Sequence, residues 1–289
     1  MEKTALKDIV VTIDFSEESM NGLRFALVFI KKIKANISLV YVLNRKNKYQ
    51  EKDGKDEYNW AKEQLENIIL KYQVRLKYGK FSYNIFKGTI HKEVIKYAKS
   101  INAYLIITSS HGISGFKELL IGSNANKIAT YSKCPVITVK DDSCARNISK
   151  ILLPIDRTIN SRQKVPIAAE IAKKHNAEVH VMLLDSLDTI ESKNQLDSFS
   201  FQVCKYLNDS GVKFIQSYHA GSDFTKMILD YANSISTNLI IIMSEQELRA
   251  KNLFLGTFAQ QIVNTSTIPV LCVHPKSLYI MPGLHAMPA

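Results

Sequence analysis

The sequence predicts an α/β protein built from two tandem doubly wound domains, each a five-stranded, mainly parallel sheet with helices on both faces. Three observations carry this expectation. Short β-branched runs of strand length alternate with segments whose apolar residues recur every three or four positions. The same plan then runs a second time along the chain. In both copies the first strand closes on an aspartate and a Pro-Val pair opens the last, as in Ile13-Asp14 with Ile155-Asp156 and Cys134-Pro-Val136 with Ile268-Pro-Val270.

Taken in order, Asp8–Ile13 is a short buried-strand pattern. Ser16 followed by Glu17 and Glu18 is a helix start, since a hydroxyl can cap the free N–H groups and acids suit the positive end of the dipole. Met20, Leu23, Leu27 and Ile30 place one face of that helix on the sheet. Ile37–Leu43 is the second strand, 44–56 a polar surface loop, and 58–73 a helix. Phe81–Phe86 is the third strand, and Val94, Ile95, Ala98 and Ile101 line the next helix. The fourth strand spans 103–108, a helix 123–132, and Val136–Val139 the fifth strand.

In the second half Ile151–Asp156 matches Val10–Asp14, and Leu239–Met243 is set against Tyr104–Thr108. Leu255–Ala259 matches Ile121–Ala125. Repeats of this length are domains rather than solenoid units. A polar run over 141–147 separates them, so the expected domains are 1–143 and 144–280, with 281–289 as a tail.

Composition narrows the function. Hydrophobic residues at 46% and charged ones at 22% suit a globular protein with real cores. No apolar run reaches the roughly 18–20 residues of a membrane helix, and the N-terminus enters a strand at once, so a cytoplasmic location and no membrane partner are expected. The net charge of +11 is scattered, for example over Lys31, Lys32, Lys34, Lys71, Lys77, Lys173 and Lys174. No nucleic-acid-reading motif accompanies it, and no nucleic-acid partner is expected. Cys134, Cys144, Cys204 and Cys272 form no CxxC pair; Cys134 and Cys272 lie in or beside apolar strand patterns and read as buried thiols, with no structural disulfide expected. The histidines show no metal-ligand spacing. His111 reads as an exposed loop residue and His91 as a capping or packing residue.

The chemistry concentrates at Thr108-Ser-Ser-His-Gly112, nine residues, then Gly122-Ser123. It follows a strand and precedes a helix, and a helix N-terminus after a small-residue loop favours phosphate. Ile13–Ser16, Val40–Val42, Lys87-Gly88-Thr-Ile-His91, Ser110–Gly112, Leu119–Ser123 and Cys134–Val136 together resemble a universal stress protein domain. The resemblance covers essentially residues 1–140 and, more weakly, 147–275. It implies an adenine nucleotide, ATP or ADP/AMP, with Mg²⁺ as an accompanying ion. By resemblance Asp14 takes the ribose hydroxyls and Val42 meets adenine through its backbone. Thr12, Thr108, Ser109, Gly112, Gly122, Ser123 and Asn124 complete the expected binding set. The nucleotide-binding branch has glycine where this chain has Ser109. If that position needs positive φ, serine strains it by about 1 kcal/mol or more.

In the second copy Ser244-Glu-Gln-Glu247 stands against Ser109–Gly112, and the segment to Gly256 reads as one residue shorter. Like-charge repulsion would disfavour a triphosphate there. The expectation is a tandem protein that binds nucleotide in its first domain as a regulatory ligand, with a structural second domain. The alternative is a nucleotide-free interaction scaffold. The family resemblance also implies pairing of the two domains through 135–140 and 269–273, with a homodimer as a further form. No general base, nucleophile or carboxylate cluster lies near the loop, so at most slow ATP hydrolysis is expected.

Overall fold

A computed structural model of the chain describes residues 6–43, 56–109, 123–140, 147–187, 189–244 and 257–275. The chain divides into two compact units, Met1–Cys144 and Ala145–Ala289.

The first unit runs β1 (Lys7–Thr12), α1 (Glu17–Ile30), β2 (Ala35–Leu43), α2 (Glu57–Tyr72), β3 (Phe81–Lys87), α3 (Ile90–Ser100), β4 (Leu105–Ser109), α4 (Ser123–Tyr131) and β5 (Val136–Val139). Its strands lie in the order β3-β2-β1-β4-β5, all parallel. The chain winds one way from β1 to β3 and the other from β4 to β5. The reversal between β1 and β4 opens a crevice at their carboxyl ends, where such sheets bind ligands. Ile9, Val10, Val11, Leu105, Ile106 and Ile107 are fully buried, as expected for central parallel strands covered on both faces.

Local chemistry sets the element ends. Ser16 caps α1 by accepting from the Ser19 N–H at 3.1 Å, and Asp56 caps α2 by accepting from the Asn59 N–H at 2.8 Å. Gly79, at φ +84°, sits where a Cβ would stand 2.0 Å from the Ala35 carbonyl oxygen, so only glycine fits that turn.

The second unit runs β6 (Lys150–Ile155), a 3₁₀ segment (Ile159–Lys164), α5 (Val165–His175), β7 (Glu178–Asp185), α6 (Ile190–Asp209), β8 (Phe214–Ala220), α7 (Phe224–Ser234), β9 (Leu239–Met243), α8 (Thr257–Thr265) and β10 (Val270–Val273). Its order is β8-β7-β6-β9-β10, again parallel. Where α1 begins with a hydroxyl cap and two glutamates, the second unit makes a 3₁₀ turn and starts its α-helix only at Val165, with Pro166 in the first turn.

The strand register corrects the comparison of the two copies by one residue. Ile9 faces Leu105 as Ile151 faces Leu239, and Ile106 faces Val136 as Ile240 faces Val270. Leu239 is therefore the counterpart of Leu105, not Tyr104. Ser109 corresponds to Met243, and 110–122 and 244–256 have equal length. Gln246 then replaces Gly112, and Glu245 replaces His111. Apolar runs of similar letters allow either offset; only the hydrogen-bonded ladder separates them.

Candidate functional site

The crevice of the first unit gathers the expected residues from three neighbouring strands. Thr12 ends β1, Val42 lies near the end of β2, and Thr108 and Ser109 end β4. The Thr12 hydroxyl donates to Thr108 Oγ1 at 2.8 Å, tying β1 to β4 beneath the crevice. Thr108 is 4% exposed, so this pair is part of the floor.

Asp14 follows immediately. Its Oδ1 accepts from the backbone N–H of Ser16 at 3.0 Å and from the Ser16 hydroxyl, which fixes the carboxylate at the crevice mouth. Among the described residues Oδ2 has no partner and remains an available acceptor. Phe15 adopts φ 65°, an uncommon conformation for a bulky residue, of order 1–3 kcal/mol. Its ring packs 5.0 Å from Tyr41 and 4.9 Å from Trp60, and this packing holds the turn that presents Asp14.

The β1–β2 ladder ends with Ile13 N–H donating to Val40 O at 2.9 Å. Peptide groups alternate sides along a strand, so Val42 turns its own N–H and C=O toward the same edge, past the end of β1. That is an acceptor and donor pair facing the crevice. The adenine role inferred for Val42 needs this arrangement.

Ser109 belongs to β4, where it pairs with Val139, and it is absent from the positive-φ residues of the chain. The backbone there is extended, so serine in place of glycine carries no conformational penalty. Gly22 of α1 packs behind it: a Cβ would meet only Ile107 Cγ2 and the Ser109 nitrogen, each at 3.9 Å.

Gly112, Gly122 and His111 lie outside the described residues. Ser123 opens α4, and Asn124 follows it. Asn124 and Lys127 stand beside His91, the second residue of α3, whose ring is also 6.3 Å from Tyr131. Burial first, and then Lys127, lower the His91 pKa, while the Asn124 side chain opposes them. His91 is thus a packing residue between α3 and α4, and Thr89, not His91, holds the cap position.

The second unit keeps the frame and changes the contents. Asp156 Oδ1 accepts from the Thr158 N–H at 2.8 Å and from its hydroxyl, repeating the Asp14–Ser16 turn. The corrected register puts Pro154 and Ile242 where Thr12 and Thr108 bond, so the floor is apolar. Lys164 takes the place of Gly22. It is 3% exposed and donates through Nζ to Ser161 O at 2.7 Å. Leu184 replaces Val42, and Asp185 replaces Leu43.

Among the described residues no group of three or more His, Cys, Asp or Glu could hold a metal, and no helix is long and apolar enough to cross a membrane. The described cysteines are unpaired; burial pushes the Cys272 thiol up to about 12.

Comparison with known proteins agrees with this architecture. The chain is 42% identical over 48 residues to the universal stress protein YxiE of Bacillus subtilis, a stretch spanning 17% of this chain and 32% of YxiE. It is 27% identical over 154 residues to the universal stress protein MJ0577 of Methanocaldococcus jannaschii, across 46% of this chain and 94% of that one. A universal stress protein structure from Archaeoglobus fulgidus superposes with a TM-score of 0.74 at 20% identity, covering 93% of this chain and 97% of the other, which shows a common fold. The sequence profile of the Universal stress protein family matches twice, over residues 5–140 and 147–274, so the chain belongs to that family and carries two tandem copies of its domain.

Proposed function

We propose that the first domain binds ATP or a related adenine nucleotide as a regulatory ligand. The observation that carries this reading is the convergence at the β1/β4 switch point of Asp14 with an available Oδ2, the outward-turned peptide groups of Val42, and an unstrained Ser109 at the end of β4. Ribose hydroxyls would donate to Asp14, and the adenine edge would pair with the Val42 backbone. The 110–122 segment would cradle the phosphates together with Ser123 and Asn124. Mg²⁺ would arrive with the phosphates and be held mainly by them, as is usual for this ion. The second domain lacks the Thr12–Thr108 floor and carries Lys164 where Gly22 leaves space, so it is not proposed to hold a triphosphate.

The denatured protein analysed by mass spectrometry is expected to release adenine nucleotide, and calorimetry should show binding of Mg-ATP. Asp14→Asn keeps the Oδ1 acceptor of the turn but loses the charge. It should weaken binding by about tenfold or more, in line with roughly 1.5–3 kcal/mol for a charged hydrogen bond. Gly122→Val should abolish binding by placing a side chain where phosphate approaches. No co-purified nucleotide together with no binding at millimolar Mg-ATP would sink the proposal, and wild-type affinity in Gly122→Val would refute the assigned site.

A further inference from the structure

The second domain contains a cleft of about 590 Å³ at its own switch point, beside the ends of β6 and β7 and the start of α7. This volume is in the range of small-molecule sites and is not that of a collapsed relic. Its lining includes Asp156, Arg157, Leu184, Asp223, Phe224 and Phe258.

The charge pattern follows from what each side chain already satisfies. Asp185, fully buried at the end of β7, accepts from Ser192 Oγ at 2.6 Å, Tyr218 OH at 2.8 Å and the Leu187 N–H at 3.0 Å. Arg157 Nε stands 3.7 Å from the same carboxylate, a long ion pair in which the buried anion offsets the arginine's charge. Asp156 and Asp223 are not matched in this way. Each spends Oδ1 on a backbone turn, Asp156 on Thr158 and Asp223 on the Lys226 N–H at 2.9 Å. Among the described residues neither Oδ2 has a partner. Lys226 Nζ is bonded to Asp230 instead. Lys164, beside Asp156 under the floor, offsets part of the negative charge; among the described residues Asp156, Asp185 and Asp223 stand against Arg157 and Lys164. Phe224, Phe258 and Leu184 add an apolar wall that can face a ring or a cation.

We propose that this cleft is a second ligand site, selective for a small organic cation, an amine carried on an apolar or aromatic body. Its ammonium would meet the available oxygens of Asp156 and Asp223, and its body would lie against Leu184, Phe224 and Phe258. Anions are disfavoured by the same two carboxylates. The inference is independent of nucleotide binding in the first domain.

Calorimetric and NMR titrations of the full chain with three probes of one shape test it: phenethylammonium, 2-phenylethanol and phenylacetate. The expected order is amine, then alcohol, then acid, with the amine ahead of the alcohol by about tenfold. Added salt should weaken the amine and leave the alcohol unchanged. Asp156→Asn with Asp223→Asn keeps both Oδ1 acceptors and should bring the amine down to the level of the alcohol. Amine binding should persist in Gly122→Val, which separates this site from the first domain. The proposal is overturned by no saturable amine binding, by phenylacetate binding as tightly as the amine, by salt-insensitive amine binding, or by displacement of the amine with Mg-ATP in Gly122→Val. The salt titration on wild-type protein decides the matter even if the double variant does not fold.

Discussion

Ser109 is the residue on which the proposed first-domain site turns. In the nucleotide-binding pattern that the chain resembles a glycine stands there, and a serine at positive φ would be strained. The position is the last residue of β4, in register with Val139, where any side chain is allowed. Ser109→Gly therefore relieves no strain. It is expected to lower stability by about 0.5–1 kcal/mol, the cost of glycine in a strand, and to leave nucleotide affinity unchanged. Urea denaturation and Mg-ATP calorimetry on the variant check both halves, and a gain in stability would contradict the extended backbone. Beside Asp14 it is Phe15 that adopts positive φ, with its ring packed on Tyr41 and Trp60.

At the level of elements, α1 links folding to the site. Ser16 acts twice: its oxygen caps the helix through the Ser19 N–H, and its hydroxyl and N–H both hold Asp14. Ser16→Ala should cost about 1 kcal/mol of stability from the lost cap. It should also weaken nucleotide binding, because Asp14 loses the hydroxyl that orients it. A melting curve with parallel calorimetry tests this, and a stability loss with unchanged affinity would show that the backbone N–H alone positions the carboxylate. The second domain shows the other outcome of the same design: Thr158 holds Asp156 in the same way, yet a 3₁₀ segment replaces the first turns of the helix.

For the whole chain, the duplication has diverged in its contents and not in its frame. Strand order and register agree between units, while the floor pair Thr12/Thr108 has become Pro154/Ile242 and Gly22 has become Lys164. The expected stoichiometry is one adenine nucleotide per chain, not two. Native mass spectrometry with Mg-ATP measures this directly, and a species carrying two nucleotides would refute the assigned difference between the domains.

Much of this was legible in the letters. Strand-length β-branched runs, a hydroxyl followed by two acids, and a plan stated twice determine an α/β tandem, because burial on both faces demands such runs and free helix N–H groups demand such caps. The aspartate at the end of each first strand was equally visible. The register of β9 was not, since Tyr104-Leu-Ile-Ile and Leu-Ile-Ile-Ile slide past one another at little cost in composition. Nor were the Thr12–Thr108 bond, which joins residues 96 positions apart, the buried Asp185 that holds Arg157, or the volume of the second cleft. These depend on which strands lie side by side and how far their ends project, and only the folded sheet decides that.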